Sequence, residues 1–316
     1  MRRASYHVPR LLLILPTRNG WCHVYSDITE SVIKNRFLCE LLASSDCSDD
    51  CGSNDGFAAI LTSNLLTRWQ EHAKKGDLRD TVVDLYAGRA IEGGQIEIYL
   101  NRLYGRIGCD LAIARPYVIN GTRYVLAPAT LLTAMRSAFA QDDWIVLGHG
   151  DPTDTNISMD LAGRVSWIDF DHSGVVAVAG EIACLLVSIW AHGAWIAPAY
   201  SPRKHLNLEG SWKTVCSSHA KGSVVLKGGY VEINVEQKTS TGRRRFVEFL
   251  LNHLVEEFCK ENLISDPINW LRPWILARLA GVFDPARFSE SAVAWHIAAI
   301  TRLANAQSVA DALADF

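Results

Sequence analysis

Gly148-His149-Gly150-Asp151-Pro152-Thr153-Asp154-Thr155-Asn156, followed after an apolar stretch by Trp167-Ile168-Asp169-Phe170-Asp171, is the part of this 316-residue chain whose reading decides the fold. Around it, short apolar runs alternate with tight polar turns: Trp144–Leu147, the loop His149–Asn156, Ile157–Met159, a turn at Leu161–Gly163, then Val165–Ile168. The pattern is strand, loop, strand, turn, strand. Two adjacent antiparallel strands joined by so short a turn bring Asp151 and Asp169 to one mouth, although they stand eighteen positions apart.

Phosphoryl transfer asks for such a set. One carboxylate must accept or orient the attacking hydroxyl, while an amide oxygen and a second carboxylate hold the magnesium ions that neutralise phosphate charge. Asp151 suits the first role, and Asn156 and Asp169 suit the second. An aspartate five positions before an asparagine is common by chance, but its coincidence with His-Gly-Asp and an apolar-flanked Ile-Asp-Phe is much rarer. The plain alternative is an ordinary polar loop, with Asp154 and Thr155 as turn or cap groups. His149 reads as a residue that structures the loop through hydrogen bonds rather than one that moves a proton. Asp171 is a secondary site residue or a turn residue, and Asp154 either faces substrate or holds the turn.

These residues resemble the aminoglycoside phosphotransferase and choline-kinase-like branch of the protein-kinase-like fold. The match is to its HGDxxxxN catalytic loop, here His149 to Asn156, and its IDF/IDW metal strand, here Ile168-Asp169-Phe170. The resemblance implies Mg2+-dependent transfer of the γ-phosphate of ATP or GTP to a hydroxyl on a small molecule. It implies Asp151 as catalytic base and Asn156 and Asp169 as metal ligands. Gly150, where protein kinases carry arginine, favours a small-molecule acceptor. An acidic residue in the next helix usually braces the catalytic loop through its backbone, and Glu181 is the candidate, although aspartate is more usual there.

The chain opens with Val8–Leu15 and Trp21–Tyr25 around the turn Pro16–Gly20, the pattern of a β-hairpin. By family order these become the last strands of a small lobe, with Ser26, Asp27 and Ile28 in the hinge that contacts the adenine edge. Apolar residues at helical spacing predict helices over Glu30–Leu42, Phe57–Lys75 and Thr130–Ala140. Ser44–Asp55 reads as a loop, and Gln95–Leu100 and Tyr117–Leu126 as strands or helix ends. Glu181–Trp190 is an apolar helix, 206–238 an insertion of β character, and the chain from Thr241 onward is mainly helical. The expected fold class is therefore α+β: a two-lobe kinase-like fold with a reduced or truncated β-rich N-terminal lobe, residues 1–29, and a large helical C-terminal lobe, residues 30–316.

A glycine-rich nucleotide loop and a phosphate-binding lysine are not identifiable in order. Lys34 with Glu40 is the nearest pair, and it reads as one solvated helix face. That leaves a rival to the enzyme: a noncatalytic or truncated kinase-like protein that binds nucleotide. A metal-dependent phosphohydrolase is a weaker third reading, because such sites need more carboxylate or histidine ligands.

With 49% hydrophobic and 21% charged residues the composition is that of a globular protein. A formal charge of −3 gives no global pull toward nucleic acid or an anionic membrane. No apolar run reaches transmembrane length, and Leu11–Leu15 is too short for a secretory leader. The eight scattered cysteines suit reduced thiols, so a cytoplasmic location is expected; Cys47 and Cys51 read as loop residues rather than metal ligands. The expected partners are a nucleotide and a small hydroxyl compound. Glu256, Glu257, Trp270, Trp274 and Trp295 are available to hold a cation, although tryptophans at that spacing read as core. Arg243-Arg244-Arg245 is available to meet an anionic substrate, although it reads rather as the solvated start of the helix Phe246–Phe258.

Overall fold

The computed structural model describes residues 11–17, 20–25, 36–46, 52–81, 87–159, 163–170, 172–191, 221–237, 239–281 and 284–316. It is a mixed α+β structure in which helices enclose four small sheets among the described residues. Strands β1 (Leu11–Thr17) and β2 (Gly20–Tyr25) pair antiparallel as the opening hairpin. Ser26, Asp27 and Ile28, expected as the hinge, together with Lys34, Cys47, Cys51 and Asp171, lie outside the described residues.

The single helix expected from Glu30 to Leu42 is replaced, where described, by a two-residue strand β3 (Arg36–Phe37) running directly into α1 (Leu38–Asp46). Glu40 explains the switch: its Oε2 accepts from the Phe37 N–H at 3.0 Å, capping a helix start that the apolar spacing alone does not reveal. The Ser44–Asp55 loop is also shorter than expected, since α1 reaches Asp46 and α2 (Gly52–His72) begins at Gly52.

Helix α2 stops at His72, not Lys75, and the chain forms β4 (Lys74–Asp77), antiparallel to β7 (Asp142–Gly148). Here glycine decides the packing. A Cβ on Gly76 would stand 2.3 Å from Ile145 Cδ1, so a larger residue would require the Ile145 side chain to shift. Strand β10 (Gly174–Ala177) pairs with the other edge of β7.

Gln95–Gly105 resolves as helix α3, burying Ile96, Tyr99, Leu100, Leu103 and Tyr104 at spacings of three and four. Strands β5 (Arg115–Ile119) and β6 (Thr122–Leu126) form a hairpin before helix α4 (Pro128–Phe139). The region expected as an insertion contributes β11 (Lys221–Lys227) and β12 (Tyr230–Glu236), and β12 runs parallel to β5. Its strands therefore complete a sheet begun a hundred residues earlier in the chain.

At the centre lies α5 (Val178–Ala191), buried along its whole length as an apolar helix must be when other elements surround it. Each fully buried Leu or Ile on it contributes roughly 1.5–3 kcal/mol. The C-terminal half supplies α6 (Thr241–Leu250), α7 (Glu256–Glu261), α8 (Pro267–Gly281), α9 (Glu290–Asn305) and the short α10 (Val309–Ala312). Helices α6 and α8 both pack against α5. Among the described residues no helix is long and apolar enough to cross a membrane.

Candidate active site

The site is built where β7 ends. Gly148 closes the strand, the loop 149–156 follows, and β8 (Ile157–Met159) and β9 (Val165–Trp167) form the hairpin that returns the chain to Ile168 and Asp169. Within the loop, Thr153 N–H donates to the Asp151 carbonyl at 2.8 Å and Asn156 N–H to the Thr153 carbonyl at 2.9 Å, so successive tight turns fix its path.

His149 is fully buried and joins the two ends of the motif. Its Nδ1 accepts from the Asp151 N–H at 3.3 Å, which leaves the ring proton on Nε2, and Nε2 donates to the Ile168 carbonyl at 2.7 Å. Trp167 and Phe170 flank the ring, with centroids 5.4 and 4.8 Å away. Asn156 holds Ile168 from the other side, its carbonyl accepting the Ile168 N–H at 3.0 Å. Both backbone groups of Ile168 are thus claimed by the loop, and the next residue is Asp169.

Asp169 sits at φ +61°, a left-handed conformation that an L-residue adopts at a cost of roughly 1–2 kcal/mol, and its side chain is exposed. Asn156 uses its amide nitrogen on the Asp151 carbonyl at 3.0 Å, which points Oδ1 away from that bond. Among the described residues no three His, Cys, Asp or Glu side chains gather into a metal cluster. Asp169 carries a carboxylate and Asn156 an amide oxygen, the donor types that magnesium takes alongside waters and phosphate oxygens.

One face of α5 reads the loop residue by residue. Glu181, Cys184 and Ser188, spaced three and four apart, lie on a single stripe of an otherwise apolar helix. Glu181 Oε1 accepts the Gly150 N–H at 2.7 Å, Cys184 Sγ donates to Asp151 Oδ1 at 3.3 Å, and Ser188 Oγ donates to Asp154 Oδ1 at 2.7 Å while accepting the Asp154 N–H at 2.8 Å. Gly150 tolerates no other residue: φ is +84°, and a Cβ would lie 1.9 Å from the His172 carbonyl oxygen.

Cations back this arrangement from three further helices. Arg68 of α2 stands 3.7 Å from Glu181 Oε2 with its guanidinium over the Trp167 ring. Arg243 of α6 lies 3.9 Å from Asp154 Oδ2 and donates to the Ile189 carbonyl at 3.0 Å. Arg278 of α8 pairs with Asp151 Oδ1 at 3.0 Å. Arg243 is therefore buried, not the solvated helix start its sequence suggests, whereas Arg244 and Arg245 are exposed. Asp154 is fully buried in the same network, so it anchors the loop and does not face a substrate.

Of the three tryptophans considered for an acceptor pocket, two belong to the interior and Trp270 is partly buried. Trp274 and Trp295 are buried, and Trp270 Nε1 donates to Asp143 at 2.9 Å. Sequence reasoning missed Arg68, Cys184, Ser188, Arg243 and Arg278. The available signal was chemical isolation: Glu181 and Ser188 interrupt one apolar helix, and Arg278 interrupts the apolar run Trp274–Gly281 of another.

No family model matches the chain, and no curated protein matches it. Among solved structures it is similar to a glucosamine kinase in crystal form B, at 10% identity and a TM-score of 0.41, covering 94% of this chain and 62% of that one. It is also similar to a glucosamine kinase in complex with glucosamine, ADP and inorganic phosphate, at 10% identity and a TM-score of 0.43, covering 95% and 65%. The chain spans less than two thirds of the length of either.

Proposed function

We propose that this chain is a magnesium-dependent small-molecule phosphotransferase that moves the γ-phosphate of ATP or GTP to a hydroxyl group, with a kinase-like arrangement of a small N-terminal lobe and a large helical lobe. The observation that supports the reading is the double clamp on Ile168, the residue before Asp169: His149 of the loop holds its carbonyl and Asn156 of the same loop its N–H.

In the transfer, Asp151 orients the acceptor hydroxyl. The hydroxyl oxygen bonds to the γ-phosphorus as the bond from phosphorus to the bridging β–γ oxygen breaks. The hydroxyl proton passes to the Asp151 carboxylate, and the electron pair of the broken bond leaves with the nucleoside diphosphate. Asn156 and Asp169 would hold magnesium, which when bound offsets the charge of the phosphates. His149 keeps the loop and the metal strand in register, and Glu181 fixes the loop backbone at Gly150. Ser26, Asp27 and Ile28 serve as the hinge against the nucleotide base in this reading.

Calorimetric titration of ATP and of GTP, with magnesium and with chelator, tests it. Magnesium-dependent binding that Asp169→Asn weakens by at least about tenfold is expected. Nucleotide binding indifferent to both magnesium and this substitution would exclude the assigned ligand set.

A further inference from the structure

The two oxygens of Asp151 have different surroundings. Oδ1 is engaged twice, by the Arg278 guanidinium at 3.0 Å and by the Cys184 thiol at 3.3 Å. Oδ2 faces the Asn156 amide nitrogen at 3.5 Å, too long for a strong bond. The two groups on Oδ1 come from different helices, α8 and α5, which are packed against each other. Rotation of the carboxylate would break both contacts at once.

The chemistry of Arg278 favours a fixed pairing. Its side chain is 8% exposed, in a stretch of α8 whose neighbours Trp274, Ile275, Leu276, Ala277, Leu279 and Ala280 are all buried. A guanidinium there requires an anionic or hydrogen-bonded partner. Its carboxylate partner keeps 21% of its side chain exposed, at the loop that carries the proposed chemistry. A planar guanidinium also fixes the orientation of a carboxylate in a way that a lysine ammonium does not.

We propose that Arg278 and Cys184 are positioning residues that dedicate Oδ1 of Asp151 to the protein and leave Oδ2 as the oxygen that meets the acceptor hydroxyl and takes its proton as the new oxygen–phosphorus bond forms. This rests on the phosphotransfer reading of the site. It makes the alignment of the acceptor depend on α5 and α8, helices to which that reading assigns neither nucleotide nor metal contact.

The test combines crystal structures with turnover of Mg·ATP, water serving as the acceptor, for the full chain and its Arg278→Met, Arg278→Lys, Cys184→Ala and Cys184→Ser variants. In the unaltered chain Asp151 is expected in one orientation with Oδ1 at Arg278. In Arg278→Met the carboxylate rotates, kcat falls about 100-fold, the loss that a misplacement of about 1 Å produces, and KM for ATP stays within about twofold. Arg278→Lys and Cys184→Ala give smaller losses of about tenfold, and Cys184→Ser, which keeps a donor, restores most of the rate. On an Asp151→Asn background, Arg278→Met causes no further loss, because it acts through Asp151.

An unchanged Asp151 orientation with unchanged kcat in Arg278→Met overturns the proposal, as does an equal loss of kcat in both backgrounds. If Arg278→Met does not fold, Arg278→Lys and Cys184→Ala carry the same comparison. Absence of Mg·ATP turnover in the unaltered chain counts against the phosphotransfer reading, and the orientation of Asp151 in the crystals then decides the positioning claim.

Discussion

Removing the carboxylate of Glu181 is the sharpest structural perturbation available, because one buried side chain holds both the loop and a cation. Its Oε1 accepts the Gly150 N–H at 2.7 Å, its Oε2 lies 3.7 Å from Arg68, and the residue is only 2% exposed. Glu181→Ala orphans the buried Gly150 N–H, a loss of about 1–3 kcal/mol, and removes the carboxylate that lies 3.7 Å from the Arg68 guanidinium. The two changes share one side chain and do not add, so about 3 kcal/mol, the upper end of that range, is the reasoned total. With an unfolding entropy of about 2.1 cal/mol/K per residue over 316 residues, that corresponds to a Tm about 4.5 °C lower. Glu181→Gln keeps an acceptor for Gly150 but not the charge opposite Arg68, and should fall about halfway. Differential scanning calorimetry of the three proteins checks the order. A Glu181→Ala protein that melts within about 1 °C of the unaltered chain would refute the reasoning.

Other consequences follow from the same geometry. Gly150→Ala combines a strained φ with contact against the His172 carbonyl, so it should cost at least about 2 kcal/mol in urea denaturation; a neutral result would mean that the loop backbone moves freely. Asp154→Asn keeps the Ser188 contact but removes the charge beside buried Arg243, and a loss of about 2–3 kcal/mol is expected in the same assay. Burial pushes the His296 imidazole down to about 3, and Tyr99 hydroxyl lies 2.7 Å from its Nδ1. Because the folded value is the lower one, this residue's contribution is fully present above the unfolded value of about 6.5. It is lost as pH falls from there toward about 3, by up to about 1.4 kcal/mol per pH unit. Comparing the pH dependence of stability with that of His296→Gln isolates the effect, and identical slopes over that window would rule it out.

What the sequence disclosed was local. The loop His149–Asn156 and the strands around it are legible because their turn residues and apolar runs act over a few positions, and the opening hairpin is legible for the same reason. Strand β4 was not: Lys-Lys-Gly-Asp has no apolar alternation, and it is a strand because β7 offers it an edge to pair with. Helix α3 was ambiguous because exposed Ile98 breaks the stripe formed by its buried neighbours. At the site, the residues that carry chemistry stood in one motif, but those that hold them did not. Arg243 and Arg278 reach the loop, and Arg68 reaches Glu181, from helices far away in sequence; only Arg278, alone in an apolar run, carries a local sign that a buried partner awaits it.

The most direct measurement is transfer of labelled γ-phosphate from Mg·ATP or Mg·GTP to a panel of aminoglycosides, sugars and amino alcohols, by the unaltered chain and by Asp151→Asn. Magnesium-dependent transfer to one acceptor class, lowered by at least about 100-fold in Asp151→Asn, is predicted. Transfer that proceeds equally well without the Asp151 carboxylate would contradict the account.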